Sequence, residues 1–234
     1  VCARKGSKGL KDKNFTSLLG KPLIDHTVDQ AQKKSSFKKI IISSNSNKIS
    51  NNCKRKVDFL IKRPEKFSND SASKIEAIRH ALINSEKKFK MKFDMIVDLD
   101  VTSPLRSIND IHKALELFKK KNPSNLVSGY DARRNPYFNQ VTYNKKKLRL
   151  VCKSKKNIVR RQDAPKIYDL NASIYIWSRK NLLSSSKLIS KKTILFKMPY
   201  SRSIDIDDKF DFIIVKHILK NNLNKWNTKK FPHN

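Results

Sequence analysis

Between residues 20 and 121 the apolar positions alternate between two rhythms. The runs Ile40-Ile41-Ile42 and Met95-Ile96-Val97 have the length and composition of buried strands, whereas Ile75, Ile78, Ala81 and Leu82 recur at helical spacing. The pattern predicts strands over residues 38–43, 57–61 and 93–99. It predicts helices from Pro22 to about Gln32, over 47–56, over 71–89 behind the small residues Ser71-Ala72-Ser73, and over Ile108–Lys121. Such alternation argues for an α/β fold with a mostly parallel sheet flanked by helices. After about residue 130 the rhythm changes. Residues 137–151 alternate as a hairpin does, and 171–177 read as a strand with Ile174 and Ile176 on one face. Between them lies the polar run Arg160-Arg161-Gln162-Asp163-Ala164-Pro165. We read a single domain of residues 1–234 carrying an inserted β arm over 133–170, of the kind that dimerises, and a closing helix over 209–223. There is no internal repeat.

Composition narrows the picture. No apolar stretch approaches the roughly 18–20 residues that span a bilayer, and no signal-peptide pattern opens the chain. A soluble, cytoplasmic protein is expected. Cys2, Cys53 and Cys152 lie far apart with no C-x-x-C, so free thiols are expected and a zinc site is not. The five histidines are scattered and read as structural or surface residues. Fifty-three lysines and arginines against 20 acids give a formal charge of +33. The lysines are spread over nearly every element, and asparagine is abundant too, which points to compositional bias rather than a nucleic-acid surface. The field still favours an anionic substrate.

Three of the four glycines, Gly6, Gly9 and Gly20, fall in the first twenty residues. Two of them frame Arg4-Lys5-Gly6-Ser7-Lys8-Gly9-Leu10-Lys11-Asp12-Lys13-Asn14. The spacing is neither that of a Walker loop nor that of the dinucleotide fingerprint. Two readings stand: a polyphosphate cradle built from backbone N–H groups and cationic side chains, or a basic surface turn between strand and helix. Asp205-Ile206-Asp207-Asp208 likewise allows two. On an extended segment Asp205 and Asp207 point to the same side and suit a hard cation such as Mg²⁺, with Mn²⁺ as the alternative. The same run also reads as the acidic start of the last helix, with Asp208 as its cap. Asp98-Leu99-Asp100 ends a buried strand with two carboxylates on one face. Thr102-Ser103-Pro104-Leu105-Arg106 then offers hydroxyls and a guanidinium at the pocket rim, and Arg63-Pro64 follows an earlier strand in the same relative place. Ligands of open α/β sheets sit beyond the carboxyl ends of the strands.

Ala3-Arg4-Lys5-Gly6-Ser7-Lys8-Gly9 and the Lys13-Asn14 that follows resemble the A-R-x-x-S-K-G-x-x-x-K-N opening of the acylneuraminate cytidylyltransferases, which make CMP-sialic acids. Gly20-Lys21-Pro22-Leu23, Arg63-Pro64, Asp70-Ser71-Ala72-Ser73, Thr102-Ser103-Pro104-Leu105-Arg106, Arg160-Arg161-Gln162 and Asn171-Ala172-Ser173-Ile174-Tyr175 match in order, followed by Asp205-Ile206-Asp207. The resemblance covers nearly the whole chain. It implies a nucleotide-binding α/β fold with a β arm swapped across a homodimer. The implied reaction joins CTP to a nonulosonic acid and releases pyrophosphate, supplying activated sugar for surface glycans. By the same resemblance Arg4, Ser7, Lys13, Asn14, Arg63 and Ser73 hold the nucleotide, with Arg4, Lys13 and Asp207 serving catalysis. Asp100, Thr102, Ser103, Arg161, Gln162, Asn171 and Tyr175 match positions on the side of the acidic sugar, and Asp205 and Asp207 match metal ligands.

The chain departs from the family pattern at two places. Asp100-Val101 stands where Gln-Pro is frequent, and Lys74 where a second serine is common. The first departure leaves a legionaminate, or another bacterial nonulosonate, as eligible an acceptor as N-acetylneuraminate. The chain begins at Val1 with a short first strand, as an N-terminal fragment does. Among rivals, the Kdo-charging branch carries S-x-R-L-P-x-K in the first loop, which is absent here. A sugar-1-phosphate nucleotidyltransferase has a longer glycine-rich opening. A basic nucleic-acid-binding module lacks any recognisable reading motif, and an inactive relative has no use for Asp205 and Asp207.

Overall fold

A computed structural model describes residues 1–6, 9–33, 37–69, 72–154 and 158–223. Strand β1 (Cys2–Ala3) is followed by a small antiparallel ribbon of β2 (Ser17–Leu18) and β3 (Lys21–Pro22). Helix α1 (Leu23–Gln32) starts directly after Pro22 and buries Leu23, Ile24, Thr27, Val28 and Ala31 at helical spacing. Then come β4 (Ile41–Ser44), α2 (Asn51–Arg55), β5 (Phe59–Lys62), α3 (Lys74–Phe89), β6 (Met95–Leu99) and α4 (Ile108–Lys121). The rest of the described chain forms β7 (Asn125–Asp131), β8 (Val141–Asn144), β9 (Lys147–Leu150), β10 (Tyr168–Ser178), α5 (Arg179–Ser184), β11 (Thr193–Lys197) and α6 (Lys209–Lys220).

The strands form a parallel sheet in the order β1-β4-β5 and a mixed sheet in the order β11-β7-β10-β6. The expected parallel arrangement holds for the first sheet. In the second, β11 lies parallel to β7, but β10 runs antiparallel to both β7 and β6. β7 and β10 pair as neighbours, with the chain returning to the sheet between residues 131 and 168, so the two lie as the legs of a long hairpin. Strand β10 is buried on both faces. Ile174 and Ile176 pack with Ile111, Leu115 and Phe118 of α4, and Tyr175 and Trp177 pack with Ile75, Ile78 and Leu82 of α3. A third cluster joins Ala3 and Ile42 to Val101, Leu105, Ile206 and Val215. Burying Ile206 fully contributes about 2 kcal/mol and fixes the two aspartates beside it.

Arg106 is 1% exposed, not at a rim. Its guanidinium donates to the backbone oxygens of Asp100 and Ser173, to Gln30 Oε1 at 3.1 Å and to Thr27 Oγ1 at 3.4 Å. It thus clamps the turn after β6 onto β10 and α1. Sequence shows which residue follows a turn but not whether its side chain points inward. Arg106→Ala leaves those acceptors unpaired and is expected to cost roughly 3 kcal/mol, read as a lowered unfolding midpoint.

Ile42 is buried as expected, but Ile40, Ile41, Met95, Ile96 and Val97 are half-buried, because they line a mostly apolar cavity of about 500 Å³ between β4 and β6. No helix among the described residues is long and apolar enough to cross a membrane.

Candidate functional site

Strands β1, β5 and β6 end at one edge of the molecule, and each passes its next residues to the wall of a single cavity of about 520 Å³. Arg4 leaves β1, Arg63 leaves β5 and Asp100 leaves β6. The turn that carries Lys13 and Asn14 forms one side, the start of α3 with Ser73 and Lys74 another, and Asp205 and Asp207 close the cavity. The last segment is placed from both ends. The Ile206 N–H donates to Thr102 O at 2.9 Å. Upstream, Arg202 forks onto Asp110 at 2.7 and 2.9 Å, while Asp110 completes a capping box with Ser107 at the start of α4. Downstream, Asp208 caps α6 through its own box with Asp211, as its sequence position suggested.

On the cationic side, Asn14 is 7% exposed and donates through Nδ2 to Arg4 O at 3.0 Å, which holds the opening turn in register. Arg63 is 5% exposed, and its Nε and Nη2 have no hydrogen-bond partner among the described residues. Unspent buried donors are costly and signal a missing acceptor. Lys13 Nζ spans the cavity mouth to Asp207 Oδ1 at 2.8 Å. Gly9 passes so close to the Asp207 carbonyl that a Cβ there would collide with its oxygen. Gly6 lies at φ +79°, in the left-handed region, with none of the described residues near the place of a Cβ. Ser7, Asp70 and Ser71 lie outside the described residues.

On the acidic side, Asp100 Oδ1 accepts from the Thr102 N–H at 3.2 Å and the Thr102 hydroxyl at 3.0 Å. Its Oδ2 accepts from Lys74 Nζ at 2.5 Å. Lys74 also lies 3.2 Å from Asp98 Oδ2 and 4.4 Å above the centre of the Tyr175 ring. Burial by itself opposes charge on both partners, but each holds the other ionised. The Asp100 carboxyl sits at about 2, and Lys74 well above the ordinary lysine range. Because the Asp100 value lies below its ordinary 3.8, its contribution to stability is complete above that pH and lost as pH falls through about 2. Asp100→Asn is therefore expected to flatten the acid limb of a plot of unfolding midpoint against pH. Asp205 behaves oppositely. Burial and the nearby charge of Asp100 push its carboxyl up to about 6, against the pull of Thr102 and Lys13. Its Oδ1 is buried without a hydrogen-bond partner among the described residues.

The cavity thus gathers Arg4, Lys13, Asn14, Arg63 and Ser73 with Asp100, Thr102, Asp205 and Asp207. Ser103 is buried beneath it and donates to Asn171 O at 3.2 Å. Asn171 is also buried: it accepts from Ser128 Oγ at 2.6 Å and donates to Ser203 Oγ at 2.9 Å, holding the bulge of β10 at Ala172. Tyr175 is buried with its ring under Lys74. Arg161 and Gln162 are exposed between β9 and β10, away from the cavity lining, where Arg161 donates to Ala132 O at 3.1 Å. In the sequence Lys74 stands out only as a departure from the family pattern. A cation in the first turn of a helix opposes the helix dipole, and that signal pointed to an acidic partner.

None of the three cysteines forms a disulfide, and burial pushes the Cys53 thiol up to about 12 and the Cys2 thiol up to about 11. Both are inert as nucleophiles at neutral pH.

A family model described as cytidylyltransferase matches residues 1–214. The chain is 42% identical over 222 residues to post-translational flagellin modification protein B of Campylobacter coli, covering 94% of this chain and 93% of that protein. It is also 42% identical, over 221 residues and the same shares, to the CMP-N,N'-diacetyllegionaminic acid synthase of Campylobacter jejuni subsp. jejuni. Among solved structures, a CMP:2-keto-3-deoxy-manno-octonic acid synthetase complexed with CTP superimposes with a TM-score of 0.62 at 15% identity, covering 94% of this chain and 97% of that one. At that identity the likeness is one of fold.

Proposed function

The chain belongs to the cytidylyltransferase family, and from that premise we propose that it transfers CMP from CTP to the anomeric hydroxyl of a nonulosonic acid, of the legionaminate or N-acetylneuraminate type, releasing pyrophosphate. The observation that carries the proposal is the division of one cavity into a cationic side, with Nε and Nη2 of the buried Arg63 unpaired among the described residues, and an acidic side, with the likewise unpaired Oδ1 of Asp205. The first suits a triphosphate nucleotide. The second suits a cation and a sugar bearing hydroxyl and amide donors.

In this reading Arg4, Lys13 and Arg63 neutralise the nucleotide while Asn14 and Ser73 orient it. The sugar hydroxyl attacks the α-phosphorus in line with departing pyrophosphate. Negative charge then builds on the non-bridging and leaving oxygens, where fixed cations lower the barrier. Asp207, exposed at the cavity mouth, takes the hydroxyl proton. Mg²⁺, or Mn²⁺, fits Asp205 and Asp207. Both offer hard oxygen donors, and the buried Asp205 Oδ1 is otherwise unspent. Among the described residues no third acid, histidine or cysteine completes a cage, which agrees with a cation that shares its shell with substrate phosphates and water. When bound, the cation offsets triphosphate charge as pyrophosphate leaves. Since CTP is a substrate, the reading puts the enzyme in the cytoplasm.

We also assign the arm to dimerisation. In the β8–β9 hairpin Val141 pairs with Leu150 and Tyr143 with Leu148. All four are exposed, Tyr143 at 75%, so one face of an isolated ribbon is apolar. A two-stranded ribbon is at best marginally stable by itself. A second copy that covers this face would bring the arm, with Arg161 and Gln162, toward the neighbouring cavity. Sedimentation is expected to give a dimer, and Tyr143→Asp with Leu148→Asp a monomer with depressed sugar turnover. A monomeric wild type removes this assignment.

The test of the reaction is pyrophosphate release from CTP and Mg²⁺ with N,N'-diacetyllegionaminate, N-acetylneuraminate or Kdo. Release that requires a nonulosonate supports the reading. Release with Kdo alone, or with no acceptor, contradicts it.

A further inference from the structure

Three neighbouring strands deliver their next residues toward the cationic side of the cavity, and two of those residues line it. Pairing sets Ala3 beside Ser44 and Ser44 beside Lys62, so Arg4, Asn45 and Arg63 leave β1, β4 and β5 at one level. Arg4 and Arg63 face the cavity, whereas Asn45, between them, does not line it. Its side-chain amide reaches both neighbours instead. Oδ1 accepts the Lys5 N–H at 2.9 Å, on the loop that follows Arg4. Nδ2 donates to the Glu65 carboxylate at 3.2 and 3.3 Å, just past Arg63. The same stretch of chain also holds the far end of the opening loop. Lys48 Nζ lies 2.6 Å from Asp12 Oδ2, and Asp12, at φ 52°, begins the turn that carries Lys13 and Asn14.

A side-chain amide meets both demands because it carries an acceptor and a donor on one plane. A carboxylate at position 45 would keep the Lys5 N–H but face Glu65 with a like charge, and a methyl group would keep neither contact. These bonds are too exposed to be a large source of stability, since Asn45 is half-buried and Glu65 exposed. What they fix is the distance between two loops whose arginines meet one polyanion. Guanidinium groups fork onto phosphate in a set geometry, so their spacing decides how well both can engage. We infer that Asn45 is a positioning residue for the nucleotide: it ties the loop after β1 to the loop after β5 and so sets the spacing of Arg4 and Arg63 around the triphosphate. This rests on the transfer reaction proposed above and names what holds its nucleotide side in shape.

The test measures CTP affinity by calorimetry with Mg²⁺ and no acceptor, together with kcat, the KM for each substrate and the unfolding midpoint. Asn45→Ala is expected to weaken CTP binding and raise its KM at least about tenfold, with the KM for the acceptor sugar unchanged and the midpoint nearly so. Asn45→Asp is expected to lose at least as much. Asn45→Asp combined with Glu65→Gln exchanges the donor and acceptor roles at constant net charge, and is expected to return CTP affinity to within about threefold of wild type. A contact that served stability alone would lower the midpoint in Asn45→Ala and leave CTP affinity where it was. That result, or a double variant no better than Asn45→Asp, overturns the inference and leaves the transfer reaction standing. A wild type that binds no CTP overturns the reaction itself, and the inference with it.

Discussion

Asp205→Asn is expected to lower CTP turnover by at least about 10²–10³-fold while raising the unfolding midpoint at neutral pH. The two effects have one cause. Asp205 is buried beside Asp100 with an oxygen that nothing among the described residues satisfies, and its carboxyl is pushed up to about 6 from an ordinary 3.8. A carboxyl with a raised value favours the fold most below its unfolded value, and that advantage is lost as pH rises through about 6. At pH 7.5 the ionised group therefore works against the fold, and an amide relieves about 1–3 kcal/mol of it. That relief removes the hard donor the cation and the reaction need. Asp207→Asn is expected to lose turnover without gaining stability, because Asp207 is exposed and already paired with Lys13. A midpoint that falls in Asp205→Asn, or turnover that survives it, would show that this carboxylate is a structural group.

The second large effect is expected at Gly9. Its Cα faces the Asp207 carbonyl so closely that an added methyl group must displace one segment or the other. Misplacement of about 1 Å at a reacting centre costs on the order of 10²-fold, so Gly9→Ala is expected to lose turnover on that scale. The collision is with backbone beside the buried Ile206, so the unfolding midpoint is expected to fall as well. Gly6→Ala is the contrasting variant. None of the described residues stands within reach of its Cβ, but φ is +79°, so the expected cost is conformational, roughly 1–2 kcal/mol, with turnover nearly kept. Equal activity loss in both variants would mean that the loop matters only for its flexibility, and not for its approach to Asp207.

How far the sequence foretold these features depends on whether the controlling interaction is local. Helix α4 has the predicted bounds, Ile108–Lys121, because a capping box at Ser107 and Asp110 starts it. The helix expected from residue 71 begins at Lys74 instead, with Ser73 as its cap. Strand β7, Asn125–Asp131, carried no usable period because it is buried on both faces and holds Ser128 and Gly129 in its centre. Strand β11 escaped for a related reason: it is a short strand whose place comes from pairing with β7. The motifs at residues 3–14, 63, 100–102 and 205–207 were legible as separate clusters of chemistry, and the rule for the carboxyl ends of strands was enough to suggest their meeting. Side-chain direction was not legible. Arg106 turns inward to clamp backbone, and Asn171 spends its amide on Ser128 and Ser203. The Lys74–Asp100 contact joins residues on different elements, which one sequence read alone does not couple.

The most direct measurement is a ³¹P spectrum of one mixture of the protein, CTP, Mg²⁺ and N,N'-diacetyllegionaminate, followed over time. The account predicts that the three CTP resonances give way to one new phosphodiester resonance and an equimolar pyrophosphate signal, and that neither appears with Asp207→Asn. CTP that persists unchanged, or that breaks down to CDP or CMP and free phosphate without a sugar ester, would contradict it.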